Sequence, residues 1–207
     1  ISIQKAIIPY ILDSKDCLGC AETGSGKTIA VLAPIISLLL KEGPPKEDEK
    51  YLKPNSKYTN SCSYPVCLII VPTRELAEQS QQVILALGDY MKVTAHCCVG
   101  GKSDDEDLKK FNHGTQIISG THGRVYDMIQ RKSFKTKNVK MLVIDEADEM
   151  LSRGFKEQVY DIYRYLPVST QNVVVSATLP EDVLEMTSQF MAEDTVKILV
   201  KRSKISL

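Results

Sequence analysis

The chain has 207 residues, 43% hydrophobic and 25% charged, and its 26 basic and 26 acidic residues leave no formal net charge. That length buries one sizeable core, so a single domain is expected. No apolar run is long enough to span a bilayer, no secretory signal is read, and without a global basic field any nucleic-acid site must be local.

In chain order, Ile3–Leu12 reads as a short helix and Cys17–Cys20 as the first strand. The strand runs into Ala21-Glu22-Thr23-Gly24-Ser25-Gly26-Lys27-Thr28, and an apolar helix over Lys27–Lys41 follows, with a kink expected at Pro34. A strand, a glycine-rich loop and a helix in that order form the context of a phosphate-binding loop. Gly24 and Gly26 free the backbone to aim N–H groups inward, and the helix adds its positive dipole end. Lys27 can reach the β- and γ-phosphates, and the Thr28 hydroxyl can ligate Mg2+. Ala21 stands where the strict pattern has Gly, and it is small enough for the same turn. A glycine-rich helix start without a ligand is the plainer alternative. Lys-Thr behind Gly-Ser-Gly weighs against it.

The six cysteines are Cys17, Cys20, Cys62, Cys67, Cys97 and Cys98. Cys17 and Cys20 have the C-x-x-C spacing of zinc or redox sites, yet no second ligand pair follows. Buried free thiols of an intracellular protein, cytoplasmic or nuclear, are the better reading, with no zinc.

The segment 41–64 breaks the rhythm. Gly43-Pro44-Pro45, the charged 46–50 and the polar 55–63 bury little, so this segment reads as a long mobile insertion. It is expected at the N-terminal edge of the strands, without a catalytic role; a partner-docking or modification segment is the weaker alternative. Val66–Val71 then reads as a buried strand, Arg74–Tyr90 as a helix, and Val93–Val99 as a strand ending in Gly100-Gly101. Asp104–Phe111 is a helix whose acidic groups suit its N-terminal dipole. A strand over Gln116–Ser119 precedes a helix from about Gly123 to Arg131. Met141–Asp145 is an apolar strand ending in Asp145-Glu146-Ala147-Asp148, and Phe155–Leu166 is a helix. Asn172–Ser176 is a strand ending in Ser176-Ala177-Thr178, followed by a helix over Glu181–Met191 and a strand over Val196–Val200. This alternation implies an α/β domain with a mostly parallel sheet and helices on both faces.

Ligands of such sheets bind beyond the strands' C-terminal ends. The unusual polar groups all follow strands, so they should crowd one edge. Asp145 is placed to hold Mg2+, directly or through water, beside Thr28. Glu146 is the candidate to orient an attacking water and take its proton. An acidic helix N-terminus is the alternative reading of this cluster.

Ala21–Thr28, Pro72–Ala77 (PTRELA), Gly100-Gly101, Thr121–Arg124, Asp145–Asp148 (DEAD) and Ser176–Thr178 (SAT) resemble, in order and spacing, the motifs of DEAD-box RNA helicases. The resemblance covers the chain apart from segment 41–64, and Asp145–Leu166 with Glu193–Leu207 looks most like the translation initiation factor 4A group. It implies a RecA-like P-loop domain that binds ATP as substrate with Mg2+. Lys27, Asp145 and Glu146 would be catalytic, residues 21–28 would hold nucleotide, and Gln4 would read the adenine edge. Asp148 would couple to Ser176 and Thr178. Pro72, Thr73, Arg74, Gly100, Gly101, Thr121 and Arg124 would hold single-stranded or short duplex RNA by its backbone, without sequence specificity. Protein partners of an RNA-processing or translation complex follow from the same likeness.

Two positions depart from the family pattern. Ile1 stands where Thr or Ser is usual, and His122 replaces a Pro. His122 restores a donor at that turn, and a tolerated change with somewhat weaker RNA binding is expected. The remaining histidines, His96 and His113, read as structural. Hydrolysis in this family takes place between two RecA-like domains, the second supplying arginine fingers. The 207 residues read as the first domain alone, and weak turnover is expected of it. The rivals are an ATP-dependent RNA clamp with little unwinding and, further off, a P-loop small-molecule kinase, for which no acceptor pocket or arginine-bearing lid is found.

Overall fold

The computed structural model describes residues 2–42, 65–101 and 103–200. Among them lie seven strands and eight α-helices. The chain opens with α1 (Ser2–Leu12), β1 (Cys17–Cys20) and α2 (Lys27–Glu42). Then come β2 (Cys67–Val71), α3 (Arg74–Leu87), β3 (Ala95–Cys98), α4 (Asp104–Asn112), β4 (Ile117–Thr121) and α5 (His122–Gln130). The rest is β5 (Met141–Ile144), α6 (Ala147–Ser152), α7 (Lys156–Arg164), β6 (Gln171–Ser176), α8 (Glu181–Ser188) and β7 (Val196–Leu199).

The strands form one sheet in the order β3-β4-β2-β5-β6-β1-β7. Every neighbouring pair is parallel. A parallel strand buried on both faces needs apolar side chains at every position, and β2 and β5 (Cys-Leu-Ile-Ile-Val and Met-Leu-Val-Ile) are buried throughout. Alternate residues then feed two cores. Ile69, Val71, Val143, Val173 and Val175 face α1, α2 and α3, where Ile3, Ile7 and Ile11 recur every fourth residue along one helix stripe. Leu68, Ile70, Leu142, Ile144 and Val174 face α4 to α8, around Phe111, Met128, Met150 and Met186.

Most expected elements recur with shifted ends. The α2 helix continues through Pro34 to Glu42, so Lys41 belongs to the helix and not to the insertion. The remainder of that insertion, 43–64, lies outside the described residues, as does Cys62. The helix expected over 74–90 stops at Leu87, and a separate 3-10 turn covers Asp89–Met91. The β4 strand reaches Thr121, two residues beyond expectation. The acidic cluster after β5 opens a short helix, α6, in keeping with its alternative reading as a helix N-terminus and separate from the helix expected over Phe155–Leu166.

Strand order divides the C-terminal edge in two. The ends of β5, β6 and β1 lie side by side, and those of β3, β4 and β2 form the other half. A cavity of about 690 Å³ opens at the opposite edge, beside Asp16, Lys140, Gln171 and Asn172, across the sheet from all these motifs.

Candidate nucleotide and RNA site

At the end of β1 the loop turns through Gly24 at φ +79° and Gly26 at φ +87°, dihedrals that other residues rarely adopt. A side chain at Gly24 would meet nothing within 4 Å, so it is the left-handed backbone and not crowding that calls for glycine there. Lys27, the first residue of α2, is buried; its Nζ donates to the Ala21 carbonyl at 2.7 Å and lies 3.8 Å from Glu146 Oε1. Thr28 Oγ1 donates to Asp145 Oδ2 at 3.1 Å across the sheet edge. Residues 117 positions apart thus meet, because β6 alone separates β1 from β5. One hydroxyl and one carboxylate fit a hard cation that keeps most of its waters, as Mg2+ does. Among the described residues no group of three or more His, Cys, Asp or Glu is placed to hold a metal ion.

Burial pushes the Asp145 carboxyl above its ordinary range, against the Thr28 hydroxyl and the Glu146 amide, which favour the charged form. Glu146 is also raised, chiefly by burial, with Lys27 pulling the other way. Its backbone is left-handed, at φ 53° and ψ 51°, at the start of α6. A non-glycine residue there costs about 1–3 kcal/mol, a strain that collects at functional positions. Asp148 receives the Thr178 amide at 2.9 Å and the Thr178 hydroxyl at 2.7 Å. Its own amide donates to Ser176 Oγ at 3.1 Å. The expected link between the acidic cluster and Ser176-Ala177-Thr178 is therefore a set of direct bonds. Gln4 reaches the same loop from α1, its Nε2 3.5 Å from the Gly26 carbonyl. The Ser25 hydroxyl is buried in the loop without a hydrogen-bond partner.

The other half of the edge differs. Thr73 caps α3, its hydroxyl accepting from the Leu76 amide at 3.3 Å. Arg74 is exposed, and its guanidinium lies over Gly101, Nη1 sitting 3.1 Å from where a Cβ would be. Gly101 itself is left-handed, at φ +88°. Thr121 precedes α5 with extended backbone, its hydroxyl unused for capping. Arg74 and Gly101 are thus in contact, and Thr121 lies opposite Val71 at the end of the neighbouring strand.

Arg124 does not join them as a free cation. Its Nε and Nη2 donate to Asp107 Oδ2 at 3.0 and 2.7 Å, Nη2 is 2.8 Å from Asp104 Oδ1, and Nη1 is 3.4 Å from Asp127 Oδ2. Asp107 is fully buried and is no solvated helix N-terminal residue. His96 Nε2 lies 2.6 Å from its other oxygen. Sequence reasoning missed this network, because nothing local marks a carboxylate whose partners lie 11 and 17 residues away. His122 begins α5 and stacks on Phe155, with ring centroids 3.9 Å apart at 31°; its Nδ1 is buried without a partner, and burial lowers its pKa.

The five described cysteines are free thiols. Cys17 and Cys20 sit three apart on one strand and so face opposite sides of it. Burial pushes Cys17 up to about 12, and Cys20 donates to the Ala177 carbonyl at 3.4 Å.

A parallel sheet covered on both faces, with a glycine loop after one strand and an acid pair facing it from two strands away, defines a RecA-like nucleotide-binding domain. A family model described as DEAD/DEAH box helicase matches residues 1–186, and the chain belongs to that family. It is similar to eukaryotic initiation factor 4A-3 of Nicotiana plumbaginifolia, 47% identical over 99% of this chain and 47% of the relative. ATP-dependent RNA helicase FAL1 of Mycosarcoma maydis is 50% identical over 99% of the chain and 46% of its own length. Among solved structures, a DEAD box protein from the hyperthermophile Methanococcus jannaschii superposes with a TM-score of 0.81 at 31% identity, covering 96% of this chain and 49% of that one. The chain thus spans about half the length of the curated relatives it matches.

Proposed function

We propose that residues 1–207 are the ATP-binding, first RecA-like domain of an ATP-dependent RNA helicase. The observation that carries this reading is the contact between Thr28 and Asp145, which joins the phosphate loop to the strand-final acid. Lys27 stabilises the β- and γ-phosphates, and the loop amides of residues 22–28 cradle them. Thr28 and Asp145 hold Mg2+, which when bound screens the charge on the transferring phosphoryl group. Glu146 orients the attacking water and takes its proton; burial keeps the carboxylate weakly hydrated and close to Lys27. Gln4 offers a donor and an acceptor to the adenine edge from a helix already in contact with the loop.

RNA is held by its backbone. Arg74, the Gly100-Gly101 turn, the Thr121 hydroxyl and the first amides of α5 supply charge and donors for phosphate oxygens, with Pro72 and Thr73 fixing the start of α3. Asp148, bonded to Ser176 and Thr178, ties the ends of β5 and β6 together within the nucleotide half and couples the nucleotide to RNA-dependent closure. A second RecA-like domain supplies the arginine fingers of the complete site, and an intracellular setting agrees with the reduced thiols. ATPase measurement with and without single-stranded RNA, on the chain joined to the downstream half of a relative, tests the proposal. RNA should raise the rate, and a Glu146→Gln variant should bind ATP and fail to hydrolyse it. An RNA-independent rate, or normal turnover by the variant, would reject the reading.

A further inference from the structure

The RNA half of the edge contains two arginines after strand ends, and their surroundings are opposite. Arg74 is exposed against Gly101. The Arg124 side chain is only 11% exposed and is shared among Asp107, Asp104 and Asp127. Arg131 binds two of the same carboxylates, Asp104 and Asp127. Carboxylates thus meet all three nitrogens of Arg124. A phosphate reaching it would have to displace a carboxylate, whereas phosphate recognition by arginine needs an open guanidinium fork.

The other end of the network shows what it is connected to. Asp107 uses its second oxygen on His96 of β3; an ionised carboxylate only accepts, so the ring nitrogen donates. The His96 ring packs edge-on against Phe111, at a centroid distance of 5.4 Å, which fixes it in the core. The chain of bonds therefore runs from β3 through α4 to the first turn of α5. Both ends lead to phosphate-holding segments, since β3 exits into Gly100-Gly101 and α5 starts directly after Thr121.

We propose that Arg124 serves the RNA edge as a positioning residue, locking the start of α5 to α4 and β3 through Asp107 and His96, and makes no phosphate contact of its own. This rests on the RNA-backbone reading of the edge. The two roles predict opposite signs for Asp107→Asn. If Arg124 touched phosphate, removing a neighbouring negative charge would tighten RNA binding; if it positions α5, binding weakens.

The test is the affinity of the 207-residue chain for a fluorescent oligouridine, measured over a range of salt concentrations, with binding of a fluorescent ATP analogue as the check on folding. Asp107→Asn and Arg124→Gln are each expected to weaken RNA binding by about tenfold, leaving the salt slope and nucleotide affinity unchanged. Arg74→Gln should weaken it and also lower the slope by about 0.7, the signature of one lost phosphate contact on a single strand. His96→Ala should behave like Asp107→Asn, and His96→Gln, which keeps a donor, should restore binding. Tighter binding by Asp107→Asn, or a slope lowered by Arg124→Gln, would overturn the positioning role alone. An Arg74→Gln variant that changes neither affinity nor slope would overturn the RNA reading, and the positioning role with it.

Discussion

The two halves of the C-terminal edge solve different problems with different parts of the chain. In the β5-β6-β1 half, side chains do the work, and Lys27 and Asp145 are buried and bonded. In the β3-β4-β2 half, the parts proposed to face RNA are a glycine turn, helix starts and one exposed arginine, while the second arginine is paired with carboxylates. Phosphoryl chemistry needs charge at fixed points in a low-dielectric setting, which only buried side chains supply. Holding a polymer by its repeating backbone needs amides at the right spacing, and these come from where helices begin.

If this contrast is right, single substitutions should separate the halves. Glu146→Gln should have the largest effect, lowering kcat of the complete enzyme by ~10²–10⁴ with ATP affinity retained, as steady-state kinetics and nucleotide titration will show. Lys27→Ala should follow, at ~10²–10³ in kcat together with weaker nucleotide binding and unchanged RNA affinity. A broken charge-assisted bond in the RNA half should appear first as stability: Asp107→Asn should lose about 1–3 kcal/mol in denaturant unfolding at neutral pH.

That loss should depend on pH in a defined direction. Burial alone would raise the Asp107 carboxyl, but hydrogen bonds from His96 and Arg124 outweigh it and hold the group below its ordinary value of 3.8. A carboxyl depressed in the folded state stabilises above its unfolded pKa and loses that contribution as pH falls through the folded one. The gap between parent and variant should therefore be full above pH 3.8 and close below it. A gap that widens on acidification would contradict the arrangement. The smallest effect is expected of Gly101→Ala, which places a Cβ in left-handed backbone beside Arg74. It should cost about 1–2 kcal/mol, read as weaker RNA binding with normal ATP binding.

The nucleotide half was almost wholly legible in the sequence. Its parts are contiguous motifs, and the rule that ligands gather beyond strand ends brings Thr28 and Asp145 together without further information. The alternation of apolar strands and helices was equally plain, because burial on both faces leaves no polar position in β2 or β5. What escaped were features set by distant partners. Asp107 looks like one of four acidic residues in a helix's first turn, and only the approach of β3 and α5 makes it the buried one. Arg124 looks like a phosphate ligand by position, and its three carboxylates lie on two other turns of chain. Helix α6 was legible only as an alternative: the acidic cluster reads either as a strand-final acid pair or as a helix N-terminus, and in the structure it ends one element and opens the other.

The edge strand β7 carries a mechanical consequence. It is parallel to β1 in register, Cys20 opposite Leu199, and the Val200 amide donates to the Cys20 carbonyl at 2.9 Å. The next residue after Cys20 is Ala21, whose amide donates to the Ser176 carbonyl at 3.1 Å. Tension arriving along the chain beyond Val200 is thus borne in shear by a short ladder that ends one peptide from the phosphate loop. A load applied at Val200 therefore passes into β1, a strand of the core, and reaches its end one peptide before the loop proposed to hold nucleotide.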